Sequence, residues 1–216
     1  RGCHDDISKN AASGLSLTTW NKMFEGGNSG AVMIPFRDNM SSMFMYTNTF
    51  DDLGLKNTPT MPVNADPLSR DEMRLMKAWI DAGSPDKNGF VKFSDNRNRK
   101  KFYITMQGCD QVGVFDSETG LAMRYIDVGG SPSIESPHMV RVSPDGNYFY
   151  VVFIAGKYIE KYRTSDDSFV ARCEIGMGSW NTLLITNNSK YGFAADYEGG
   201  RVVAVDLEKM IIKRWY

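Results

Sequence analysis

The sequence predicts an α+β chain of more than one domain: a helical domain over residues 1–88, a linker over 89–100 and all-β repeats over 101–216. In the first part, apolar residues recur at helical spacing. In the second, β-branched and aromatic runs alternate with Gly, Asn and Asp turns. The change falls at Gly83-Ser84-Pro85-Asp86-Lys87-Asn88-Gly89, a segment rich in helix and strand breakers.

Taken in order, a first short helix is predicted over Thr18 to Glu25, stopped by Gly26-Gly27. A second starts at Ser41 and carries Met43, Phe44 and Tyr46. The clearest runs from Ser69 to Ala82, where Ser69 and Glu72 form a capping box. Met73, Met76 and Ile80 follow helical spacing, with Trp79 beside them. Gly83 suits the left-handed position after the last turn, and Pro85 prevents continuation. Small helices joined by long irregular segments bury little apolar surface, so such a domain needs a filler or a staple. The run Asp95-Asn96-Arg97-Asn98-Arg99-Lys100-Lys101 is predicted to be solvated.

The second part repeats itself. Runs beginning at Phe102, Tyr148 and Tyr191 are spaced 46 and then 43 residues apart. Each leads through a Gly-containing turn to a second run: Val112–Phe115, Ile159–Tyr162 and Val202–Val205. Third runs follow at Ala122–Ile126 and Phe169–Cys173. A period of about 40 to 50 residues with three or four short strands per unit is the signature of a β-propeller. Residues 98–216 hold fewer than three such units, so further repeats are expected after Tyr216.

Composition excludes several classes. The 216 residues are 24 % charged with a net charge of −1, which disfavours a basic nucleic-acid binder. No apolar stretch is long enough for a membrane span. Three cysteines, Cys3, Cys109 and Cys173, do not make a disulfide scaffold. Cys109 and Cys173 are expected as small strand residues, with pairing left open. Asp116 and Asp206 are expected in turns, and Asp5-Asp6 and Asp51-Asp52 on solvated faces. No phosphate-binding loop, dinucleotide fingerprint or nucleophile elbow is present.

The chemistry lies in the first part. Cys3-His4 matches the end of C-x-x-C-H, the attachment motif of c-type haem, with Arg1 and Gly2 as its two x residues. The first cysteine of that motif would precede Arg1. A second axial ligand is then needed, often a methionine thioether. Met61-Pro62 lies 57 residues after His4, in a loop before the last helix. Thirteen methionines are present and eight fall in the first 92 residues, so Met33, Met40, Met43 and Met45 compete for that role.

Together, Cys3-His4, Leu15-Ser16-Leu17 with Trp20, Gly26-Gly27, Ile34-Pro35, Ser41-Ser42-Met43, Met61-Pro62 and Trp79-Ile80-Asp81-Ala82-Gly83 resemble the small c-type cytochrome domains fused to larger modules in periplasmic bacterial proteins. The resemblance covers residues 1–85. It implies haem c (iron) as cofactor, bound by Cys3, His4 and Met61, with His4 and Met61 on the metal. The second part resembles periplasmic propellers of the YVTN and cytochrome cd1 type, through turns such as Ser143-Pro144-Asp145-Gly146. The fold class so implied is α+β multidomain: an all-α c-type cytochrome domain followed by partial all-β propeller blades.

The function so implied is electron transfer rather than catalysis, in the periplasm or at the cell surface. The partners so implied are redox proteins, including a membrane-associated respiratory or cell-surface complex, with no nucleic acid. Two alternatives stand beside it. A haem oxidoreductase of the cytochrome cd1 nitrite-reductase type would use His138, just before a predicted strand, to hold a second haem. A haem-free propeller would act as a binding module.

Overall fold

The structure, a computed structural model, describes residues 3–216. Arg1 and Gly2, the expected x residues of the attachment motif, lie outside the described residues. The chain divides into two compact units, Arg1–Phe102 with Phe115–Tyr125, and Tyr103–Val114 with Ile126–Tyr216.

The chain is mostly β, built on three antiparallel sheets. This overturns the expectation of a separate all-α cytochrome domain followed by propeller blades. The α-helices are α1 (Trp20–Phe24), α2 (Ser42–Thr47) and α3 (Arg70–Asp81). Short 3-10 turns and irregular backbone make up the rest of the first part. The reason is local. Only α3 combines a cap with three uninterrupted turns, whereas five or six residues scarcely repay helix nucleation. Gly26, at φ +72, ends the α1 segment, and Asn48, in extended conformation, ends α2.

α3 forms as its sequence dictates. The Ser69 hydroxyl accepts the Glu72 N–H at 3.3 Å, and the Glu72 carboxylate accepts the Ser69 N–H at 2.8 Å. Met73 and Ile80 are fully buried. Gly83 has φ +94, and a Cβ there would stand 2.5 Å from Phe36 Cζ, so glycine is required twice over. Replacing Ser69 with alanine is expected to cost about 1 kcal/mol, measured as a shift in the urea midpoint of this unit. An unchanged midpoint would show that packing alone holds the first turn.

The core of the first unit gathers Met23, Phe24, Met33, Phe44, Met73 and Ile80. Three of the methionines are therefore core filling, and Met43 and Met76 pack against the same cluster. The charged run before the sheets is solvated as expected at residues 95–98 and Lys100, and Arg99 is partly covered. Arg99 binds Asp95 at 2.7 Å and lies 3.6 Å from Asp116, and Phe93 is buried.

The strands are β1 (Lys101–Met106), β2 (Gln111–Asp116), β3 (Ala122–Asp127), β4 (Pro137–Val142), β5 (Tyr148–Phe153), β6 (Gly156–Arg163), β7 (Phe169–Gly178), β8 (Trp180–Ile185), β9 (Tyr191–Asp196), β10 (Arg201–Asp206) and β11 (Ile211–Trp215). They pair in chain order as β1-β2-β3, β4-β5-β6-β7 and β8-β9-β10-β11. β1, β5 and β9 begin within one residue of the three predicted starts. The pattern does not single out β8. His138 lies inside β4 rather than before a strand.

The repeat is physical as well as sequential. Ser143 donates to Asp145 at 2.6 Å, and Gly146 turns back at φ +74 to the Ser143 carbonyl. One unit on, Thr186 donates to Asn188 at 2.7 Å, and Ser189 at φ +58 bonds back to the Thr186 carbonyl. In both turns the leading hydroxyl also accepts an N–H from the following strand, Tyr148 at 3.1 Å and Tyr191 at 3.0 Å. Ser-Pro-Asp-Gly and Thr-Asn-Asn-Ser thus build one turn from different residues.

Two apolar clusters hold the second unit. One joins Tyr150, Ile159 and Cys173 to Trp180, Leu183 and Val203. The other joins Val112 and Val128 to Phe149, Val151 and Tyr162. The buried Lys161 ammonium reaches the Leu207 carbonyl at 2.8 Å and lies 4.0 Å from the Tyr148 ring centroid. Burial holds the Lys161 pKa below the ordinary lysine range.

Asp196 ties the turns around the third sheet. Its carboxylate accepts the Ser179 N–H at 2.9 Å, the Gly199 N–H at 3.0 Å and Arg201 Nε at 2.9 Å. Burial pushes this carboxyl up, and the three donors together outweigh it and hold it below the ordinary aspartate value. A depressed folded-state pKa stabilises above the unfolded value, and the contribution is lost as pH falls through the folded one. Stability is therefore expected to fall as pH drops below about 4, the ordinary aspartate value, and on through the lower folded one, with a shallower fall in Asp196→Asn. Parallel urea titrations of the two proteins check this; identical slopes would remove Asp196 from the account.

Candidate functional site

Cys3 and His4 stand at the start of the described chain, in a turn that precedes a short 3-10 segment at Lys9–Ala12. Cys3 is an exposed free thiol. His4 is half-buried, and its Nδ1 lies 3.3 Å from the Leu15 carbonyl. A carbonyl only accepts, so Nδ1 is the donor here, which in the neutral ring leaves the lone pair on Nε2. None of the hydrogen bonds among the described residues engages Nε2.

The turn is held from several sides. The Leu17 N–H donates to the His4 carbonyl at 2.8 Å. The Asp5 carboxylate accepts the Ile7 and Ser8 N–H groups at 2.9 and 2.7 Å. Asp6 accepts the Ser16 hydroxyl at 2.8 Å and pairs with Lys22 of α1. The Lys22 ammonium and then the Ser16 hydroxyl keep the Asp6 carboxyl below its ordinary range. These two aspartates, expected only to face solvent, organise the His4 turn. Adjacent acids followed by Ser8 and Lys22 are a common surface pattern, so nothing in the sequence marked them.

Met61 lies on a different segment of the same unit. It is partly exposed, and its N–H donates to the Tyr46 carbonyl at 2.7 Å. Four residues earlier, the Asn57 N–H donates to the Met45 carbonyl at 2.8 Å. The loop carrying Met61 is thus laid along the last turn of α2. No hydrogen bond or core cluster among the described residues joins Met61 to His4. The competing thioethers are otherwise engaged: Met33 is 1 % exposed within the core, Met43 packs on it, and Met45 Sδ lies 3.9 Å from Asn57 Nδ2. Met40 ends a 3-10 turn and stays partly exposed.

Imidazole, thioether and thiol are residue types that can hold a haem, and here they stand on separate segments. One imidazole has its far nitrogen hydrogen-bonded, as metal-bound histidines almost always do. One thioether, Met61, lies outside the packed core, and a free thiol, Cys3, stands next to the imidazole in sequence. Among the described residues, no three His, Cys, Asp or Glu side chains gather as a metal cluster of their own.

In the second unit, Gln107 Nε2 lies 2.8 Å from His138 Nδ1, and the Thr105 hydroxyl donates to the His138 carbonyl at 3.1 Å. His138 is thereby bound into the meeting of β1 and β4. Cys109, expected in a strand, is exposed in a 3-10 turn, whereas Cys173 is buried in β7; both are free thiols. Asp206 accepts the Glu208 and Lys209 N–H groups at 3.1 and 3.0 Å, which is a turn role, as expected.

No family model matches the sequence, and neither does any curated protein. Among solved structures, the chain is similar to hydrazine synthase of Kuenenia stuttgartiensis, with a TM-score of 0.48 and 21 % identity over 53 % of this chain. The match spans 33 % of that protein, about a third of its length. The β-rich class of this chain rests on its own three sheets. No helix is long and apolar enough to cross a membrane among the described residues.

Proposed function

We propose that the first unit carries one covalently attached haem c, anchored at Cys3 with His4 and Met61 as axial ligands, and that the protein is an electron carrier. The observation that supports this most is the tautomer of His4. Its Nδ1 is committed to the Leu15 carbonyl, which leaves Nε2 as the coordinating nitrogen. When bound, the haem supplies a one-electron couple whose potential a thioether ligand raises. The chain's own residues do the positioning. Leu15 fixes the imidazole, Asp6 and Ser16 hold its turn, and the α2 carbonyls of Met45 and Tyr46 hold the Met61 loop. The partner is a redox protein, and covalent haem attachment belongs to the periplasm or cell surface.

The test is a pyridine haemochrome spectrum of the purified protein, with mass spectrometry of the peptide containing Cys3. One c-type haem per chain and a haem-sized addition at Cys3 are expected. A colourless protein with an unmodified Cys3 peptide would sink the proposal.

A further inference from the structure

We infer that Asn48 is the positioning residue for Met61, and hence for thioether ligation of the iron; this rests on the haem reading above. Asn48 is 1 % exposed and follows the last residue of α2. Its own N–H closes the helix on the Phe44 carbonyl at 2.9 Å. Its side chain then ties down the connection that follows. The amide nitrogen donates towards the carbonyls of Phe50 at 3.1 Å, Gly54 at 3.0 Å and Leu55 at 3.3 Å. The amide oxygen accepts the Phe50 N–H at 2.9 Å.

One buried side chain therefore closes residues 50–55 into a loop and returns the chain to the end of the helix it left. The next residues are the ones pinned there: Asn57 N–H on the Met45 carbonyl and Met61 N–H on the Tyr46 carbonyl. Those two bonds form only if the preceding loop delivers the chain in register. Among the described residues, Asn48 is the side chain whose hydrogen bonds reach both ends of that loop. From outside, Arg70 of α3 steadies the same loop, through Asp52 at 2.7 Å and by stacking on the Phe50 ring at 4.4 Å. Those contacts are exposed and hold the loop to α3, whereas Asn48 sets its return to α2.

A carboxylate cannot replace this amide, because three carbonyls face it and need a donor. Alanine removes that donor from the Gly54 and Leu55 carbonyls, leaves the Phe50 carbonyl with the Leu53 N–H alone, and frees the loop. With the loop freed, the thioether occupies its ligating position for only part of the time. An external ligand that must displace it then binds more tightly in proportion.

The experiment uses the haem-loaded protein, with Asn48→Ala and, as an independent disturbance of the same loop, Gly54→Ala. Gly54 sits at φ +134, where a side chain strains the backbone, while a Cβ there would make ordinary contact with Phe44 at 3.5 Å. Two quantities are read in the ferric state: the weak long-wavelength charge-transfer band of thioether-bound iron, and the affinity for added imidazole. Both variants are expected to keep one haem per chain, lose most of that band and bind imidazole about tenfold more tightly or better. Haem-loaded variants with the parental band and imidazole affinity overturn the role of Asn48. If Asn48→Ala does not fold, Gly54→Ala decides the matter by the same two readouts. A parent protein without haem overturns the underlying haem reading instead, so the two failures are told apart.

Discussion

Replacing Trp180 with alanine is expected to lower the stability of the second unit by about 3–5 kcal/mol. Trp180 is fully buried and opens β8. Its ring lies in the cluster that joins the second and third sheets. The ring also lies 6.1 Å from that of Trp215, with the Arg201 guanidinium 5.3 Å from its centroid. Its indole N–H donates to the Gly176 carbonyl at 2.9 Å. Alanine removes the ring, opens a cavity between two sheets that cannot collapse onto it, and leaves that carbonyl without its donor. Urea unfolding followed by circular dichroism measures the loss. Trp180→Phe, which keeps most of the packing, should lose less. A cost under about 1 kcal/mol for the alanine variant would mean that the sheets can close over the gap.

Replacing Met61 with alanine should lower the midpoint potential of the haem-loaded protein by a tenth of a volt or more, on the order of what axial-ligand exchange achieves within a span of roughly 0.8 V. The thioether favours ferrous iron, so its removal stabilises the ferric state. The long-wavelength charge-transfer band should vanish with it. Haem content should not change, because the proposed attachment is at Cys3 and the proposed proximal bond at His4. A redox titration with optical detection reads all three quantities. An unchanged potential would take the distal role away from Met61.

The elements of the first part were legible where a local device sets them. Ser69 and Glu72 announce α3 because the capping box is a bond between neighbours in sequence. The cytochrome-like order of motifs did not carry the fold class with it. Between the motifs the chain runs through 3-10 turns and irregular backbone, and no spacing rule distinguishes those from short helices. Asn48 was equally invisible. Its partners are backbone carbonyls, which every residue has, so nothing in the identity of residues 50, 54 or 55 marks it.

For the second part, the 46- and 43-residue spacings and the Gly-rich turns were enough to locate β1, β5 and β9 and the strands that follow them. Alternation and turn chemistry are short-range properties, and short-range properties survive in a single sequence. β8 escaped because Trp180-Asn181-Thr182-Leu183-Leu184-Ile185 mixes buried and exposed residues without strict alternation. A bulge between Trp180 and Thr182 shifts the register and breaks the period of two.

By itself, then, the sequence determined the local matters: the capped helix, the turn-punctuated strands, and the adjacent thiol and imidazole of Cys3-His4. The tertiary structure decided which nitrogen of His4 is spoken for, which methionines are consumed by the core, and that Met61 is laid along the end of α2. Each of these depends on groups more than ten residues apart that meet through backbone carbonyls or packing, which residue type does not encode.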